Sequence, residues 1–434
     1  MNFRESQSYL FSLGNEVSAM KLGLESMHEL LAALGKPQQN YIKVQVAGTN
    51  GKGSVCAFLG SMCVAAHVKV GVTTSPHLVS VTERVLINGE PIDEDEFAEF
   101  STRVREASEA LVRDGRLETV PTYFEQVTAI ALLAFAAHKV ELAILETGLG
   151  GRLDATTAAN AEIAAITRID LDHQEYLGET LREIAGEKAA IIHRDSRVVV
   201  GEQQPEAMAV ILERCRSLGV EPRLASDTTA TFDGETVTFR DADLVLSNLR
   251  LGLAGDHQIE NAKIAIGLAR EMNIEAKHIS QGLASARHPG RLEWMTTSDG
   301  EFLLDGAHNI GGAAALRDYI LKYRPEPRMT LVFGCMRDKD VRKIAALLFP
   351  LADEIILTEA SNSRSMQADD LYRIAAGIVP ADDCTAVKRL ADAIDLAVRY
   401  YLGRPDASHR FICVTGSLYL VGEAKKLLRK RSAT

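Results

Sequence analysis

The sequence predicts a two-domain α/β protein, in which a doubly wound parallel sheet with a P-loop is followed by a smaller Rossmann-like α/β domain. Three observations predict this fold. Short apolar strands alternate with helical patterns along most of the 434 residues, and a Gly-rich segment with one lysine lies between a strand and a helix. The alternation restarts after residues 287–291, RHPGR, where Pro and Gly interrupt a helix. We therefore expect domains at residues 1–288 and 289–434.

The first domain begins with a βαβ unit. Residues 42–47 (IKVQVA) are a short apolar run, 55–66 have a helical pattern and 69–74 (KVGVTT) form another strand. Asn88-Gly89 is the favoured pair for a tight hairpin turn. The remaining predictions here are a hairpin over 83–92, helices at 94–112 and 123–138, buried strands at 141–146 and 162–167, short strands over 229–253, and helices at 258–271 and 275–286.

In the second domain the same alternation of apolar strands and helices returns. Strands are predicted at 302–305, 330–333, 354–358 and 411–414, and helices at 313–323, 341–348, 369–378, 391–402 and 418–428. Strands that alternate with helices form parallel sheets with helices on both faces. The second domain is therefore predicted to be a smaller doubly wound sheet.

Composition and charge exclude several classes of function. The chain is 46% hydrophobic and 25% charged, and 48 basic against 59 acidic residues give a net charge of −11. No global basic field would attract nucleic acid or anionic lipid. The apolar stretch Ala129–Ala137 is far shorter than the roughly 18 residues of a membrane span, and the first residues lack a secretory signal pattern. We expect a cytoplasmic protein with neither nucleic acid nor membrane as a partner.

The cysteines carry no recognisable site. Their spacing contains no CxxC or CxxH pair, which disfavours a zinc site, a redox dithiol and a disulfide framework. We expect most of them to be small core residues. They are Cys56, Cys63, Cys215, Cys335, Cys384 and Cys413.

The strongest local motif is a candidate phosphate-binding loop between the first strand and its helix. Glycines let backbone N–H groups surround phosphate oxygens, the helix start adds partial positive charge, and Lys52 adds a point charge. The motif departs from the usual pattern because Val46 replaces its first glycine and Ser54 comes one place late. The alternative is a Gly-rich turn at a helix start. The loop consists of Gly48, Thr49, Asn50, Gly51, Lys52, Gly53 and Ser54.

Three polar residues are candidate ligands for the Mg²⁺ that such a loop requires. Glu146 ends an apolar strand, Ser75 ends the preceding one, and His173 follows a third. Mg²⁺ prefers a few hard oxygen ligands together with water and phosphate oxygens. Taken singly, such residues are usually caps, turn residues or a neutral hydrogen-bonded imidazole. Together, at the carboxyl ends of strands in one sheet, they indicate a metal–nucleotide site.

Lys188 lies on a helix face that is predicted to be buried. It follows Leu181 and Ile184 at spacings of seven and four residues, which places the three on one side of the helix. One interpretation is a lysine that extends its ammonium group to the surface. The other is a lysine held inside the site, with a modification that removes the need to solvate its charge.

Two further loop patterns suggest functions, of which we reject the first and keep the second. Gly148-Leu149-Gly150-Gly151 suggests a dinucleotide fold, but the G-x-G-x-x-G pattern fails at Leu153 and no ribose-binding acid follows, so we reject a dehydrogenase. In the second domain, polar loops after several strands suggest a surface that closes over a ligand held by the first domain. Those loops are at residues 305–309, 337–340, 361–364 and 416–417.

With these motifs in order, the sequence resembles the folate branch of the Mur ligase superfamily, the dihydrofolate synthase/folylpolyglutamate synthases. The resemblance runs from about Leu22 to Ser417 and so covers nearly the whole chain. The motifs that carry it are GTNGKGS from Gly48, SPHL from Ser75, TERVLING from Thr82, TYFE from Thr122, ETGLGGRLDAT from Glu146, DH at Asp172, GEKA from Gly186, PGRLE from Pro289 and LDGAHN from Leu304.

The resemblance implies an ATP-dependent carboxylate–amine ligase with an acyl-phosphate intermediate. Residues 1–288 would be the ATP-binding domain, of the Mur ligase central type, and 289–434 the Rossmann-like ligase domain. The implied substrates are ATP, L-glutamate, dihydropteroate and reduced folates, with two Mg²⁺ ions accompanying ATP. Lys52 and residues 48–54 would hold the phosphates, Asn261 the adenine, and Arg291 and Asp305 would reach ATP.

The resemblance also implies the metal, catalytic and acceptor residues. Ser75, Glu146 and His173 would bind Mg²⁺, a carbamylated Lys188 a second metal, and His308 would lie near the glutamate and the acyl phosphate. Lys52, Lys188 and His308 would be the catalytic residues. The pterin-binding residues would be Lys21, Leu22, Gly23, Leu24, Thr122, Tyr123, Phe124, Glu125, Leu153, Asp154 and Ala155.

These acceptor residues match members that use dihydropteroate, so we expect a monomeric bifunctional enzyme that makes dihydrofolate and extends glutamate tails. One alternative is a monofunctional folylpolyglutamate synthase. Another is a nucleotide-binding regulator that has lost catalysis, which would predict loss of Lys52, Glu146 or Lys188, and all three are present. A P-loop kinase or GTPase is disfavoured because their base-reading and acceptor motifs are missing.

Overall fold

The computed structural model describes residues 1–14, 23–324, 328–403 and 410–432. Its contacts divide the chain into two compact units, Met1–Gly252 with Gln258–Arg287, and Leu253–His257 with His288–Thr434. The sequence assigned residues 253–257 to the first domain, whereas they belong to the second unit. Two contacts explain this: Ala254 packs against the core of the second unit, and Asp256 accepts hydrogen bonds of 2.6 and 2.9 Å from the Lys322 ammonium group.

The first unit contains an eight-stranded sheet in the order β4-β3-β2-β5-β1-β6-β7-β8. Strands β2, β5, β1, β6, β7 and β8 are parallel, and the edge hairpin β3–β4 is antiparallel. The strands are β1 Ile42–Ala47, β2 Val70–Thr73, β3 Leu86–Ile87, β4 Glu90–Pro91, β5 Leu142–Glu146, β6 Ile163–Ile166, β7 Arg197–Val200 and β8 Arg223–Leu224.

A separate antiparallel sheet, β11-β10-β9, occupies the region where short strands were predicted. Its strands are β9 Thr229–Phe232, β10 Val237–Asp241 and β11 Leu244–Leu249. The helices of the first unit are α1 Phe3–Ser12, α2 Glu25–Ala33, α3 Lys52–Ala65, α4 Glu94–Arg113, α5 Tyr123–Ala137, α6 Gln174–Leu177, α7 Leu181–Ala189, α8 Pro205–Leu218, α9 His257–Glu271 and α10 Ala276–Ser285.

Two apolar cores cover the first sheet. One core brings α1, α2, α4 and α5 onto the sheet, with residues such as Leu30, Phe97 and Ile130 fully buried. The other packs α7 and α8 against β6 and β7 through Ile184 and Ile211. Strands buried on both faces read as continuous apolar runs, which is why the sequence pattern located β1, β5 and β6 well.

The predicted Asn88-Gly89 hairpin is present but short. Both residues have positive φ angles, 51° and 87°, as the tight turn requires. The first half of the predicted strand instead forms a 3-10 helix, Val81–Arg84, because Ser80 and Glu83 cap it reciprocally. The alternating pattern of residues 83–92 therefore overestimated the strand.

The second unit has a six-stranded sheet in the order β12-β13-β17-β14-β15-β16, with only β12 antiparallel to its neighbour. Helices α11, α12 and α13 share a core with it. Its strands are β12 Glu293–Thr297, β13 Gly300–Asp305, β14 Arg328–Phe333, β15 Ala352–Glu359, β16 Cys384–Arg389 and β17 Arg410–Thr415. Its helices are α11 Ile310–Tyr323, α12 Val341–Leu348, α13 Ala368–Ala375, α14 Leu390–Leu402 and α15 Leu418–Ser432.

The α/β prediction is confirmed, and the elements that it missed include helices α1, α2 and α8 and strands β7, β8, β12 and β16. Strands β12 and β16 border the second sheet and are more polar than its central strands, and β8 borders the first sheet, whereas β7 lies one place inside that edge and is mostly buried. All six cysteines are free and buried, as expected of core residues. Within the described residues, no helix has the length and apolar character needed to cross a membrane.

A buried lysine at the amino-terminal edge of the first sheet depends on one carboxylate. The Lys43 ammonium group donates to Glu162 at 2.9 Å and to the carbonyl groups of Gln38 and Tyr41, and Glu162 also accepts from the Lys43 backbone N–H. Partial burial raises the pKa of Glu162, but these hydrogen bonds from Lys43 outweigh it and hold the pKa below its ordinary value. The pair links β1 to the start of β6.

We predict that Glu162→Gln destabilises the protein by about 1–2 kcal/mol at pH 7. The loss is smaller than for a fully buried pair because the Glu162 side chain is 48% exposed. A carboxylate with a lowered pKa stabilises the folded state above its unfolded pKa, and this contribution disappears as the pH falls through the folded pKa. Urea unfolding of both proteins from pH 7 to 3 should show the difference closing below about pH 4.5.

The matched control is Glu235→Gln, which removes an ion pair with Arg250 in which both side chains are largely exposed. Its effect on unfolding should stay below about 0.5 kcal/mol at every pH. Equal effects of the two substitutions would contradict the importance of the buried Lys43 ammonium group.

Candidate active site

The candidate site of the first unit lies at the carboxyl edge of its parallel sheet. Strand pairing places Val46 opposite Glu146 and Ala47 opposite Ile166, while Thr73 is level with Leu145. The segments that follow β1, β2, β5 and β6 therefore leave the sheet at the same edge. This is the edge where parallel α/β sheets bind ligands.

The loop after β1 has space for glycine only at two positions. Gly48 and Gly51 have positive φ angles of 153° and 90°. A Cβ atom on Gly48 would overlap the hydroxyl of Thr167, and one on Gly51 would overlap the side-chain oxygen of Asn261. The loop is therefore packed against β6 on one side and α9 on the other, and it leads directly into α3.

Hydrogen bonds to the segment after β6 hold the middle of this loop. The backbone N–H groups of Thr49 and Asn50 donate to the Arg168 carbonyl at 2.8 and 3.1 Å. The Thr49 hydroxyl donates to the Asp170 carbonyl at 3.0 Å, and the Asn50 side-chain amide donates to the Asp170 carboxylate at 2.9 Å. These contacts fix the loop shape, while the first-turn N–H groups of α3 point in the direction in which a helix start binds anions.

Two lysines meet at one carbonyl oxygen of the loop. The ammonium groups of Lys52 and Lys188 donate to the Gly48 carbonyl at 3.0 and 2.9 Å. Lys188 is 4% exposed, so the interpretation as a surface-reaching lysine is wrong and the buried-face prediction is confirmed. Burial, followed by the positive charge of Lys52, lowers the pKa of Lys188 to about 7, against the opposing pull of Asp172 and Asp154.

Ser75 and Glu146 are in direct contact. The backbone N–H of Ser75 donates to the buried Glu146 carboxylate at 3.1 Å, and the peptide bond from Ser75 to Pro76 is cis. Burial raises the pKa of the Cys56 thiol, Glu146 raises it further and Lys52 lowers it. Glu146 and Lys52 therefore both act on one point of α3, which places the carboxylate near the phosphate loop.

His173 lies in the segment after β6, at the residue directly before α6, and its side chain makes no capping hydrogen bond. Its φ angle is 51°, its N–H donates to the Asp172 carboxylate at 2.9 Å, and its side chain is 25% exposed. Asp172 is also close enough to raise the pKa of Lys188. His173 therefore lies at the same sheet edge, beside Asp172, whose negative charge acts on the Lys188 ammonium group.

The predicted metal ligands fit Mg²⁺ better than a transition metal. Among the described residues, no group of three or more His, Cys, Asp or Glu side chains is arranged to hold an ion. The predicted set contains a carboxylate, a hydroxyl and one imidazole. Mg²⁺ takes few protein ligands and completes its shell with water and phosphate oxygens, so a sparse oxygen-rich set suits it.

Asp154 shapes the loop that follows β5. One of its oxygens accepts from the N–H groups of Gly148 and Leu149, both at 2.9 Å, and the other accepts from the Thr156 N–H at 3.0 Å. Burial raises the pKa of Asp154 in spite of these hydrogen bonds. The carboxylate therefore organises the loop that also carries Leu153 and Ala155.

The start of α5 packs on that loop. Thr122 and Glu125 form a capping box, with hydrogen bonds of 2.7 and 3.3 Å. The Phe124 ring lies so close to Gly148 that a Cβ atom there would overlap it. Tyr123 is buried and points into the core. Gly23 and Leu24 precede α2, and Lys21 and Leu22 lie outside the described residues.

In the second unit, Asp305 organises the turn after β13. Its carboxylate accepts from the N–H groups of Leu292 and Ala307 at 2.8 and 2.9 Å. Burial raises the pKa of Asp305, and Arg291 opposes this shift. Arg291 and His308 both contact the Gly306 carbonyl, at 3.4 and 2.8 Å. The three predicted residues of this unit are therefore neighbours.

The other polar loops of the second unit also gather at the carboxyl edge of its sheet. Arg364, after β15, forms an ion pair of 2.8 Å with Asp338, after β14. The Gly416 N–H donates to the Ala307 carbonyl at 3.1 Å, which joins the loop after β17 to the turn after β13. The expectation that these loops share one edge is confirmed.

Known proteins support what the geometry indicates. The Mur ligase middle domain matches residues 46–269, and the Mur ligase glutamate ligase domain matches residues 290–418. The chain belongs to the Mur ligase family. A curated relative of this Mur ligase, the dihydrofolate synthase/folylpolyglutamate synthase of Bacillus subtilis, is 34% identical over 98% of this chain and 99% of its own length.

Solved structures agree in fold over the whole length. Mycobacterium tuberculosis folylpolyglutamate synthase complexed with ADP has a TM-score of 0.91 and 31% identity, covering 98% of each chain. Escherichia coli FolC in complex with DHPP and ADP has a TM-score of 0.87 and 30% identity, covering 99% of this Mur ligase and 98% of that chain.

Sequence reasoning missed the residues that shape the phosphate loop. Asp170 and Thr167 hold it from the segment after β6, and neither belongs to the loop motif. The one available signal was a polar run directly after an apolar strand, which also contains His173. A polar run of this kind predicts the sheet edge at which a site lies. It does not predict which side chain contacts the loop after β1.

We predict that Gly51→Ala destabilises this Mur ligase by about 2–4 kcal/mol in urea unfolding. Part of the loss comes from the positive φ angle and part from overlap with the Asn261 side chain. Gly35→Ala is the matched control because Gly35 has a similar φ of 81° with nothing within 4 Å of the added methyl group. The control should lose only about 1–2 kcal/mol.

The second substitution Asn261→Ala should recover part of the extra loss in the Gly51→Ala protein, because it removes the obstructing oxygen. Equal destabilisation by the two glycine substitutions would contradict the close packing of the loop on α9.

Proposed function

We propose that this Mur ligase joins L-glutamate to 7,8-dihydropteroate and to the glutamate tail of reduced folates, with ATP as the energy source. The observation that carries the proposal is one juxtaposition at the carboxyl edge of the first sheet. The loop after β1 leaves that edge and leads to Lys52, and its Gly48 carbonyl also accepts from Lys188 of α7. The Ser75–Glu146 pair and the loop on which α5 packs lie at the same edge. It supports a phosphate donor and a carboxylate acceptor held side by side.

At the phosphate end, residues 48–54 would surround the triphosphate. The first-turn N–H groups of α3 supply donors and partial positive charge, and Lys52 supplies a full charge. In the structure the Lys52 ammonium group donates to the Gly48 and Thr49 carbonyl groups. A bound phosphate oxygen is a stronger acceptor than either carbonyl. Asn261, which already contacts Gly51, is in a position that supports its predicted role at the adenine.

For Mg²⁺ we propose Ser75, Glu146 and His173 as ligands, together with phosphate oxygens and water. When bound, the ion neutralises phosphate charge and makes the terminal phosphorus more electrophilic. The Glu146 carboxylate is buried and accepts a hydrogen bond from the Ser75 N–H. The orientation of the carboxylate is thus set by the backbone.

For Lys188 we propose carbamylation, which would provide oxygen ligands for a second ion. The ammonium group first loses one proton to water, and the neutral amine then adds to CO₂, forming an N–C bond as a C–O π bond breaks. A second proton leaves the nitrogen to water, so a positive ammonium group becomes a negative carbamate. The lowered pKa of Lys188, about 7, supplies the neutral amine that this addition needs. The change also replaces two like charges on the Gly48 carbonyl with an opposite pair.

At the acceptor end, we propose that Thr122–Glu125 and Leu153–Ala155 form the pterin pocket, with Gly23 and Leu24. The contact of Phe124 with Gly148 brings the first two groups together. The carboxylates of Glu125 and Asp154 accept hydrogen bonds from nearby backbone N–H groups. Their role would therefore be to hold the backbone and Phe124 in fixed positions. Lys21 and Leu22 remain predictions from the resemblance.

In the second unit, we propose that Arg291 and Asp305 contribute to nucleotide binding and that His308 lies near the acyl phosphate. The support is their close grouping around the Gly306 carbonyl, at the sheet edge of that unit. Asp305 holds the backbone of Leu292 and Ala307. It therefore fixes the positions of Arg291 and His308 relative to each other.

The chemistry follows from these roles. A carboxylate oxygen of the acceptor attacks the terminal phosphorus, the P–O bond to ADP breaks, and an acyl phosphate forms. The glutamate amine then attacks the acyl carbon, and the amide forms as inorganic phosphate leaves and the amine loses its proton. Alignment and charge neutralisation provide the catalysis, and no protein nucleophile is required. We propose further that the enzyme is monomeric and cytoplasmic, without nucleic acid or membrane partners.

The test is product mass and ADP release with ATP, Mg²⁺ and L-glutamate, offering 7,8-dihydropteroate and a reduced folate in separate reactions. We expect amide products from both acceptors. Product from the reduced folate alone would select the monofunctional alternative, and product from neither would overturn the proposal. Lys52→Ala is the control, and its turnover should fall by about 10²-fold or more with native circular dichroism.

A second prediction concerns Lys188. We expect Lys188→Ala to lose about 10²-fold or more in activity, and added bicarbonate should not restore it. In the wild-type protein, ¹³C-bicarbonate should give a carbamate carbon signal that is missing from the variant. A fully active Lys188→Ala protein would contradict the catalytic role, and a wild-type spectrum without the signal would contradict carbamylation alone.

A further inference from the structure

Arg84 is a fully buried cation close to the site, and none of the roles assigned above involves it. Its side chain is 2% exposed, and it is the last residue of the 3-10 helix Val81–Arg84. A buried charge is costly, and apolar replacements of buried charged groups are often neutral or stabilising. The presence of arginine here therefore calls for a reason other than stability.

The first contact of Arg84 is with the loop that follows Ser75. Its Nε donates to Nδ1 of His77 at 2.9 Å. Because Nδ1 accepts this bond, the imidazole is neutral and its second nitrogen carries the proton. The Pro76 ring restricts the chain between His77 and Ser75. Holding His77 therefore restricts where Ser75 can place its hydroxyl.

The same short helix holds the rest of that loop. The carboxylate of Glu83 accepts from the N–H groups of Leu78, Val79 and Ser80 at 2.7 to 3.2 Å. Glu83 thus organises the far side of the loop and Arg84 the near side. The Thr74 hydroxyl also donates to the Glu83 carbonyl, at 3.3 Å, so this short helix contacts the loop on both sides of Ser75.

The second contact of Arg84 is with the start of α5. Its guanidinium carbon lies 5.5 Å from the centre of the Tyr123 ring, a cation–π distance. Tyr123 is followed by Phe124, whose ring rests on Gly148 in the loop after β5. Through these contacts one side chain joins the Ser75 loop to the helix that carries the proposed pterin pocket.

We propose that Arg84 is a positioning residue that fixes the Ser75–His77 loop relative to the start of α5. Its function is to keep the phosphate donor and the acceptor carboxylate aligned for attack. A planar guanidinium suits this role because its Nε donates to His77 while its charge lies over the Tyr123 ring, and a lysine cannot reproduce both contacts. The inference rests on the proposed function, since it assigns the two ends of the site as above.

The test compares Arg84→Met and Arg84→Lys with the wild-type protein. Misalignment of reacting groups lowers the rate of chemistry, so we expect kcat with dihydropteroate to fall by about 10–100-fold. The affinity for ATP without acceptor should stay within about twofold, because the residues of the phosphate loop are untouched. Lysine keeps the charge but not the two-contact geometry, so it should rescue little.

A binding measurement separates positioning from general damage to the fold. Calorimetry should show that a non-hydrolysable ATP analogue with Mg²⁺ changes the affinity of wild-type protein for dihydropteroate. In Arg84→Met this coupling should shrink towards onefold, while the affinities for the separate ligands change little. His77→Gln should also weaken the coupling, and its effect should not add to that of Arg84→Met.

The matched control is Arg103→Met, which removes a surface arginine whose guanidinium lies 6.0 Å from the Phe100 ring. Its kcat and its ligand coupling should equal those of the wild type. An Arg84→Met protein with wild-type kcat and coupling would overturn the inference, as would parallel losses in all ligand affinities. If the wild-type protein forms no amide with any acceptor, the proposed function fails first, and that outcome is visible before any variant is made.

Discussion

The shape of the candidate site depends on one backbone carbonyl. The Gly48 oxygen accepts from both Lys52 and Lys188, and Gly48 can lie there only because it has no side chain to overlap Thr167. Burial of Lys188, followed by the positive charge of Lys52 on the same oxygen, lowers the pKa of Lys188 to about 7. In the proposed function, phosphate or carbamate oxygens would be the groups that offset these charges.

In both units, acidic residues hold the backbone of loops at a sheet edge. Asp154, Glu83 and Asp305 each accept from two or more N–H groups of a loop at a sheet edge. Such charge-assisted hydrogen bonds are stronger than neutral ones, so they can fix a loop that no regular structure supports. Carboxylates therefore hold loops at the sheet edge of each unit. Glu146, a proposed Mg²⁺ ligand, likewise accepts from the Ser75 N–H.

The relatives establish the family of this protein, and contacts within the molecule connect the two ends of the proposed site. Whole-length likeness to folate ligases from several bacteria establishes the family and the fold. Within the molecule, the contact of α5 with the loop after β5 connects the proposed acceptor residues to the proposed nucleotide site, and Arg84 adds a second connection to the Ser75 loop. Both links join segments that are far apart in sequence.

The sequence by itself determined the α/β class, the central strands, the Gly-rich loop between β1 and α3 and the burial of Lys188, because each follows from local periodicity or from a contiguous motif. It misjudged what depends on neighbours: the polar edge strands β12 and β16, the short hairpin beside the 3-10 helix, and the packing of residues 253–257 on the second unit. Only the tertiary structure decided that Asp170 and Asn261 shape the phosphate loop and that Arg84 bridges His77 and Tyr123. Side chains that meet across the sheet edge come from separate segments, and no spacing along the chain records which of them touch.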